Sequence, residues 1–130
     1  MEDSIFTKII KGEIPAHKIY EDEKTLAFLE IYPAQPGRTL VVPKAQIASL
    51  WDLPEQDYQA LMSACQKVAQ RLRDVIKPAR VGVQVVGLHI PHAHVHLIPF
   101  NTMEEYLQQP DMSAEPDHAA LSEMAKKLAF

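Results

Sequence analysis

Three histidines, His92, His94 and His96, alternate through the segment Pro91-His-Ala-His-Val-His-Leu-Ile-Pro99. On an extended strand, alternate side chains share a face. The three imidazoles are therefore expected on one side, about 6–7 Å apart, with Ala93, Val95 and Leu97 on the other. A neutral imidazole is a competent nucleophile toward phosphorus near neutral pH. A second ring, if protonated, can donate to phosphate oxygens, and a third can fix the tautomer of the attacking ring or contact the phosphate. The same row could instead ligate zinc. The chain has six histidines in all, so three in strict alternation point to a function; the pattern alone leaves phosphate chemistry and metal binding open.

The rest of the chain must position this segment. Residues 4–12 read as a short helix, capped by Ser4, with Ile5, Phe6, Ile9 and Ile10 as its apolar side and Gly12 at its end. His17 to Tyr20 and Leu26 to Leu29 read as strands around the charged turn Glu21 to Lys24. Pro33, Pro36 and Gly37 break the chain before a strand over Thr39 to Val42. The clearest helix runs from about Leu53 to Ile76. Asp52 and Glu55 have capping-box spacing, Pro54 suits the first turn, and Pro78 prevents continuation. Tyr58, Leu61, Met62, Cys65, Val68, Leu72, Val75 and Ile76 fall on one face of it, so Cys65 is expected as a buried hydrophobe. Arg80 to Val86 and His92 to Ile98 read as further strands, and Ala119 to Leu128 as a last short helix. Short breaks between strands predict an α+β fold, an antiparallel sheet of about five strands with helices on one side.

The chain has 130 residues, enough for one domain with a real core. With 47% hydrophobic and 23% charged residues, its composition is that of a globular protein. A net charge of −4 gives no reason to expect a nucleic-acid polymer as partner, although a small anion can still be held locally. A single cysteine forms no internal disulfide, and no segment approaches the ~18 apolar residues of a membrane span. With no secretory pattern at the start, the expectation is a cytoplasmic location without membrane association.

The segment His92-Ala-His94-Val-His96-Leu97-Ile98 resembles the signature of the histidine triad family of nucleotide hydrolases and transferases. The segments Ser4 to Pro15, Leu26 to Ile31 and Pro36 to Lys44 resemble its preceding blocks, so the likeness covers about residues 4–100 of a single 1–130 domain, with 101–130 as a tail. The resemblance implies a homodimer and a covalent nucleotidyl-histidine formed when His94 attacks the α-phosphate. It implies purine nucleoside phosphoramidates, dinucleoside polyphosphates or related adenylates as substrates. His92 and His96 would flank the nucleophile, orienting it and contacting phosphate. The surroundings of Phe6, Phe28, Glu30 and Ile31 would hold base and ribose. No cofactor or metal is needed for that chemistry.

The chain departs from the family pattern at several positions. Ser4 and Thr7 stand where many relatives carry a Cys-x-x-Cys pair that helps hold a structural zinc, so that site is not expected here. Glu30 replaces a ribose-binding aspartate with a longer stem. Arg38 replaces a histidine and either grips phosphate or is a solvated turn residue. Gln84 is the counterpart of a phosphate-contacting amide if a short gap is accepted. Leu88 replaces a common glutamine. His89 stands near the leaving group and is either a general acid or a loop histidine. His17 and His118 are expected at the surface. Two alternatives remain beside the enzyme: a nucleotide-binding regulatory module with little catalysis, and a three-histidine metal enzyme.

Overall fold

The structure is a computed structural model that describes residues 2–32 and 34–130; Pro33, read above as a chain break, lies outside the described residues. Its centre is a five-stranded sheet in the order β1-β2-β3-β5-β4. The strands are β1 (Lys18–Glu21), β2 (Thr25–Leu29), β3 (Thr39–Pro43), β4 (Arg80–Gln84) and β5 (Val95–Phe100). Every neighbouring pair is antiparallel. The helices are α1 (Ile5–Ile10), α2 (Glu55–Ile76), α3 (Met103–Leu107) and α4 (His118–Leu128), with one turn of 3-10 helix at Leu50–Asp52. The α+β class and the five antiparallel strands agree with the sequence reading. Among the described residues no helix is long and apolar enough to cross a membrane.

The helices are not confined to one side, as the sequence reading had them. Leu61, Ala64, Cys65, Val68 and Leu72 of α2 pack with Ala27, Leu29, Val41, Val95 and Leu97 from one sheet face. The opposite face carries Leu26, Phe28, Leu40 and Val42, which pack against Phe6 and Ile9 of α1. A period-two strand whose two faces are both covered reads as a continuous apolar run, and β2 and β3 are buried throughout. The C-terminal helix α4 belongs to the first core through Leu128, which is fully buried. Arg71 of α2 clamps the end of α4, donating from Nε to the Leu128 carbonyl at 3.0 Å and from Nη2 to that of Lys127 at 3.0 Å.

Local expectations needed several corrections. The capping box at Asp52 and Glu55 does not form. Asp52 is taken up by the 3-10 turn, which Ser49 caps, and Pro54 itself stands at the N-cap of α2 with no side-chain cap bond. Met62 sits at the edge of the apolar stripe and is exposed, as is Ile5 on α1. The helix α2 ends at Lys77 in the left-handed region (φ 58°), one residue before Pro78. Pro99 lies inside β5 rather than bounding it. The β3–β5 ladder ends at Leu97, so beyond that point β5 has only β4 beside it and the missing N–H costs no ladder bond. Pro43 closes β3 in the same way, beyond its last pairing with β5 at Val41. Helix α3 was not foreseen.

Candidate active site

The histidine segment starts before its strand. Only His96 lies within β5, while His92 and His94 arrive on the connection from β4, which turns at Gly87 (φ 63°). The alternation survives: Ala93, Val95 and Leu97 join the α2 core, and the imidazoles face the side that carries α1. That side is not an open cleft at every histidine. His92 is 0% exposed, beneath the edge of Phe6 at a ring distance of 5.7 Å.

Both nitrogens of His92 are engaged by the protein. Its Nε2 lies 2.7 Å from the carbonyl oxygen of Pro43. A carbonyl only accepts, so Nε2 carries the hydrogen and Nδ1 of the neutral ring is the acceptor. The Ser4 hydroxyl donates to Nδ1 at 2.7 Å and itself accepts from the Thr7 backbone N–H at 3.0 Å, which caps α1. Thr7 Oγ1 lies 3.3 Å from the same Nδ1 and donates to Gln46 Oε1 at 2.7 Å. Gln46 Oε1 also accepts from the Ser4 backbone N–H at 2.8 Å. Burial, more than the neighbouring His94, lowers the His92 pKa, and the bond to Pro43 only partly opposes this. His92 is thus a buried neutral strut with no nitrogen left for phosphate, unlike the flanking contact expected of it. Ser4 caps its helix as expected and also holds His92. These hydroxyls and the amide do not fit zinc, which takes thiolate, imidazole or carboxylate ligands.

His94 is held from behind. Its Nδ1 lies 2.9 Å from the backbone carbonyl oxygen of His92, so Nδ1 carries the hydrogen and Nε2 keeps its lone pair. Among the described residues no group takes that Nε2 as a partner. The ring stands edge-on to Phe6 at 4.9 Å, is 6% exposed, and lines a cavity of about 410 Å³. Burial lowers its pKa, which keeps the ring neutral.

His96 stands 5.1 Å from His94 between ring centres and lines the same cavity. Arg38 Nη2 lies 3.3 Å from His96 Nδ1. A guanidinium only donates, so Nδ1 accepts and Nε2–H is left as a donor. Burial, then the charge of Arg38, then His94, push the His96 pKa down to about 4. The ring is neutral at pH 7, not the protonated one that the pattern of three imidazoles invited. With His92 tied up and His96 facing a cation, the three rings do not converge on one metal ion.

Arg38 is buried at 4% exposure, which removes the solvated-turn alternative. It reaches Gln84 Oε1 at 3.5 Å, and its Nε has no hydrogen-bond partner. Gln84 stands opposite His96 across the β4–β5 ladder. Glu30 is half-buried beside them; burial raises its pKa, and the Tyr32 backbone and Arg38 partly offset that. Phe6, Phe28, Glu30, Ile31, Arg38 and Gln84 all line the cavity, and so does His89, which is exposed at the rim. Of the predicted site residues, only His92 lies outside the cavity wall. His17 and His118 lie at the surface and meet there, Nε2 to Nδ1 at 2.9 Å.

Sequence reasoning missed Gln46 and the tail residues Gln109, Pro110 and Met112, which form part of the wall. The Ser4-x-x-Thr7 spacing at a helix start marked one end of the His92 network. Nothing local marked Gln46, which arrives from 39 residues beyond Thr7.

A sheet that presents a neutral, backbone-anchored imidazole to a cavity with a guanidinium beside it makes an α+β protein with a site suited to an anionic ligand. The HIT domain family model matches residues 11–103. Protein hit of Bacillus subtilis is 37% identical over 103 residues, 75% of this chain and 71% of that protein. The adenosine 5'-monophosphoramidase of Saccharomyces cerevisiae is 31% identical over 125 residues, 95% of this chain and 79% of its own. A Hit-like protein involved in cell-cycle regulation from Bartonella henselae superposes with a TM-score of 0.81 at 29% identity, covering 97% of this chain and 94% of that one. The chain belongs to the histidine triad family, whose general activity is nucleotide hydrolysis or transfer.

Proposed function

We propose that the chain is a nucleotide-phosphate hydrolase or nucleotidyl transferase that works through a covalent intermediate on His94. The observation that carries this reading is the free Nε2 of His94 on the cavity wall, with Nδ1–H fixed on the His92 carbonyl. In the first step the Nε2 lone pair attacks the α-phosphorus, and the bond to the leaving group breaks with its electron pair on that group. The Nδ1–H stays on the ring and the His92 carbonyl offsets the charge that develops there. In the second step water attacks phosphorus, the P–N bond returns its pair to Nε2, and the surplus proton passes to solvent; an alcohol or phosphate acceptor in place of water gives transfer.

The remaining roles follow from the cavity wall. Phe6, Phe28 and Ile31 form its apolar part, suited to a purine, and Glu30 is placed to accept from ribose hydroxyls. His96 Nε2–H and Gln84 supply donors for the α-phosphate oxygens, Arg38 supplies a cation for phosphate oxygens beyond it, and His89 lines the exposed rim. Candidate substrates are adenosine phosphoramidates, supported by the activity of the yeast relative, dinucleoside polyphosphates and related adenylates. No cofactor takes part, and no nucleic-acid polymer or membrane is a partner.

The whole chain acts as one domain and pairs as a homodimer. Strand β4 is a sheet edge with Val83 exposed on it and Val85, Val86 and Leu88 exposed just beyond, an apolar edge that a second copy would cover. Sedimentation equilibrium of Val83→Glu against wild type tests this, a monomeric wild type being the contrary result. For the activity, His94→Ala with an unchanged fold should lose turnover of adenosine phosphoramidate and diadenosine triphosphate by more than ~1,000-fold. Micromolar AMP binding with no turnover of either by wild type would favour the regulatory module instead.

A further inference from the structure

Among the described residues of the site, Arg38 is a buried charged group with no charge partner in contact; the half-buried Glu30 acts on it only at a distance. A guanidinium does not shed its proton at any pH a protein survives. Among the described residues Arg38 takes part in no ion pair. Its contacts are two neutral acceptors, Gln84 Oε1 at 3.5 Å and His96 Nδ1 at 3.3 Å, both long, and its Nε has none. Burying a charge in this way is costly unless something balances it. Arg38 lines the same cavity as His94 and His96, so a bound anion can do so.

The supply of protons in the site points the same way. An amine expelled from phosphorus must receive a proton, because an amide anion is too basic to leave. His92 has both nitrogens engaged, and the Nδ1–H of His94 is held by a carbonyl. For His96 to become an acid it would have to protonate Nδ1, setting an N–H against the N–H of Arg38. None of the three rings is poised to protonate an amine, and His89, the remaining histidine on the wall, is exposed at the rim with no contact among the described residues that aims it at the reacting centre. A phosphate leaving group needs no proton. The P–O bond breaks, the pair stays on the bridging oxygen, and the phosphate departs as an anion beside a fixed cation.

We propose that Arg38 is a specificity-determining residue that favours nucleoside phosphoanhydrides, whose leaving group departs as a phosphate or polyphosphate anion, over phosphoramidates, whose leaving group is an amine. This rests on the nucleotidyl-His94 reading and narrows its substrate range. The test compares kcat/KM for diadenosine triphosphate and adenosine 5'-phosphoramidate in wild type, Arg38→Gln and Arg38→Lys, with thermal melts to establish folding.

Wild type should prefer the anhydride by at least about tenfold, and Arg38→Gln should lose about 100-fold or more on the anhydride, the usual loss when one aimed donor is removed, but only about fivefold or less on the phosphoramidate. Arg38→Lys keeps the charge and should keep most of the preference, which leaves the proposal testable if the glutamine variant folds poorly. A wild type that prefers the phosphoramidate overturns the proposal, as do variants in which both substrates fall together. Either result leaves the His94 reading intact. That reading fails separately, if wild type turns over neither substrate and forms no adduct on His94.

Discussion

Replacing Ser4 with alanine removes two hydrogen bonds through one oxygen. Ser4 Oγ accepts from the Thr7 N–H as the cap of α1 and donates to His92 Nδ1 at 2.7 Å. Loss of a serine cap costs about 1 kcal/mol. Leaving a buried imidazole nitrogen without a donor costs about 1–3 kcal/mol. Thr7 Oγ1, 3.3 Å from the same nitrogen, can turn toward it only by giving up Gln46. The expected loss for Ser4→Ala is therefore roughly 2–4 kcal/mol. Glycine tolerates the N-cap position at a cost of only a few tenths of a kcal/mol, so Ser4→Gly isolates the His92 bond and should be less destabilised than Ser4→Ala by about 0.5–1 kcal/mol. Urea unfolding with an unchanged m-value measures both. A loss under about 0.5 kcal/mol in both variants would refute the claim that Ser4 holds His92, since an orphaned buried acceptor costs more than that.

Other outcomes follow from burial and backbone geometry. Burial holds His92, His94 and His96 below the ordinary histidine pKa of 6.5. The unfolded chain therefore binds more protons below that pH. Stability from these groups is complete above pH 6.5 and falls as pH drops toward the folded values, by up to about 1.4 kcal/mol per pH unit for each histidine. Urea unfolding at pH 7, 6 and 5 checks the sign, and a flat or rising trend toward pH 5 contradicts it. Leu128→Ala should cost about 2–5 kcal/mol by calorimetry, because α4 supplies a fully buried core side chain; a near-neutral result would detach the tail from the core. At Gly87 the left-handed backbone disfavours a side chain by about 1–2 kcal/mol, and an added Cβ would stand 3.4 Å from His94 Cε1. Gly87→Ala should lower both stability and kcat, and unchanged values in both would show that the turn tolerates a methyl group.

The sheet and the long helix were legible because their patterns are local. The short apolar run of Thr39 to Val42 between Gly37 and Pro43, and the period near 3.6 from Leu61 to Leu72, are readable without knowing what they pack against. The alternation of the histidines was legible for the same reason, and it outlived a strand that begins three residues later than expected. What was not legible is what long-range contacts decide. His92 looked equivalent to its neighbours, yet Ser4 from 88 residues away and the Pro43 carbonyl from 49 residues away consume both its nitrogens. The protonation of His96 depends on Arg38, 58 residues earlier. The residue types of the site could be read from the segment, whereas their tautomers required the fold.

Mass spectrometry of the protein quenched in acid-free buffer during turnover of an adenosine phosphoanhydride tests the nucleophile most directly. An AMP adduct on the peptide carrying residues 92–96, localised to His94 and absent from His94→Ala, is the predicted result. An adduct on His92 or His96, or steady turnover by His94→Ala, would contradict it.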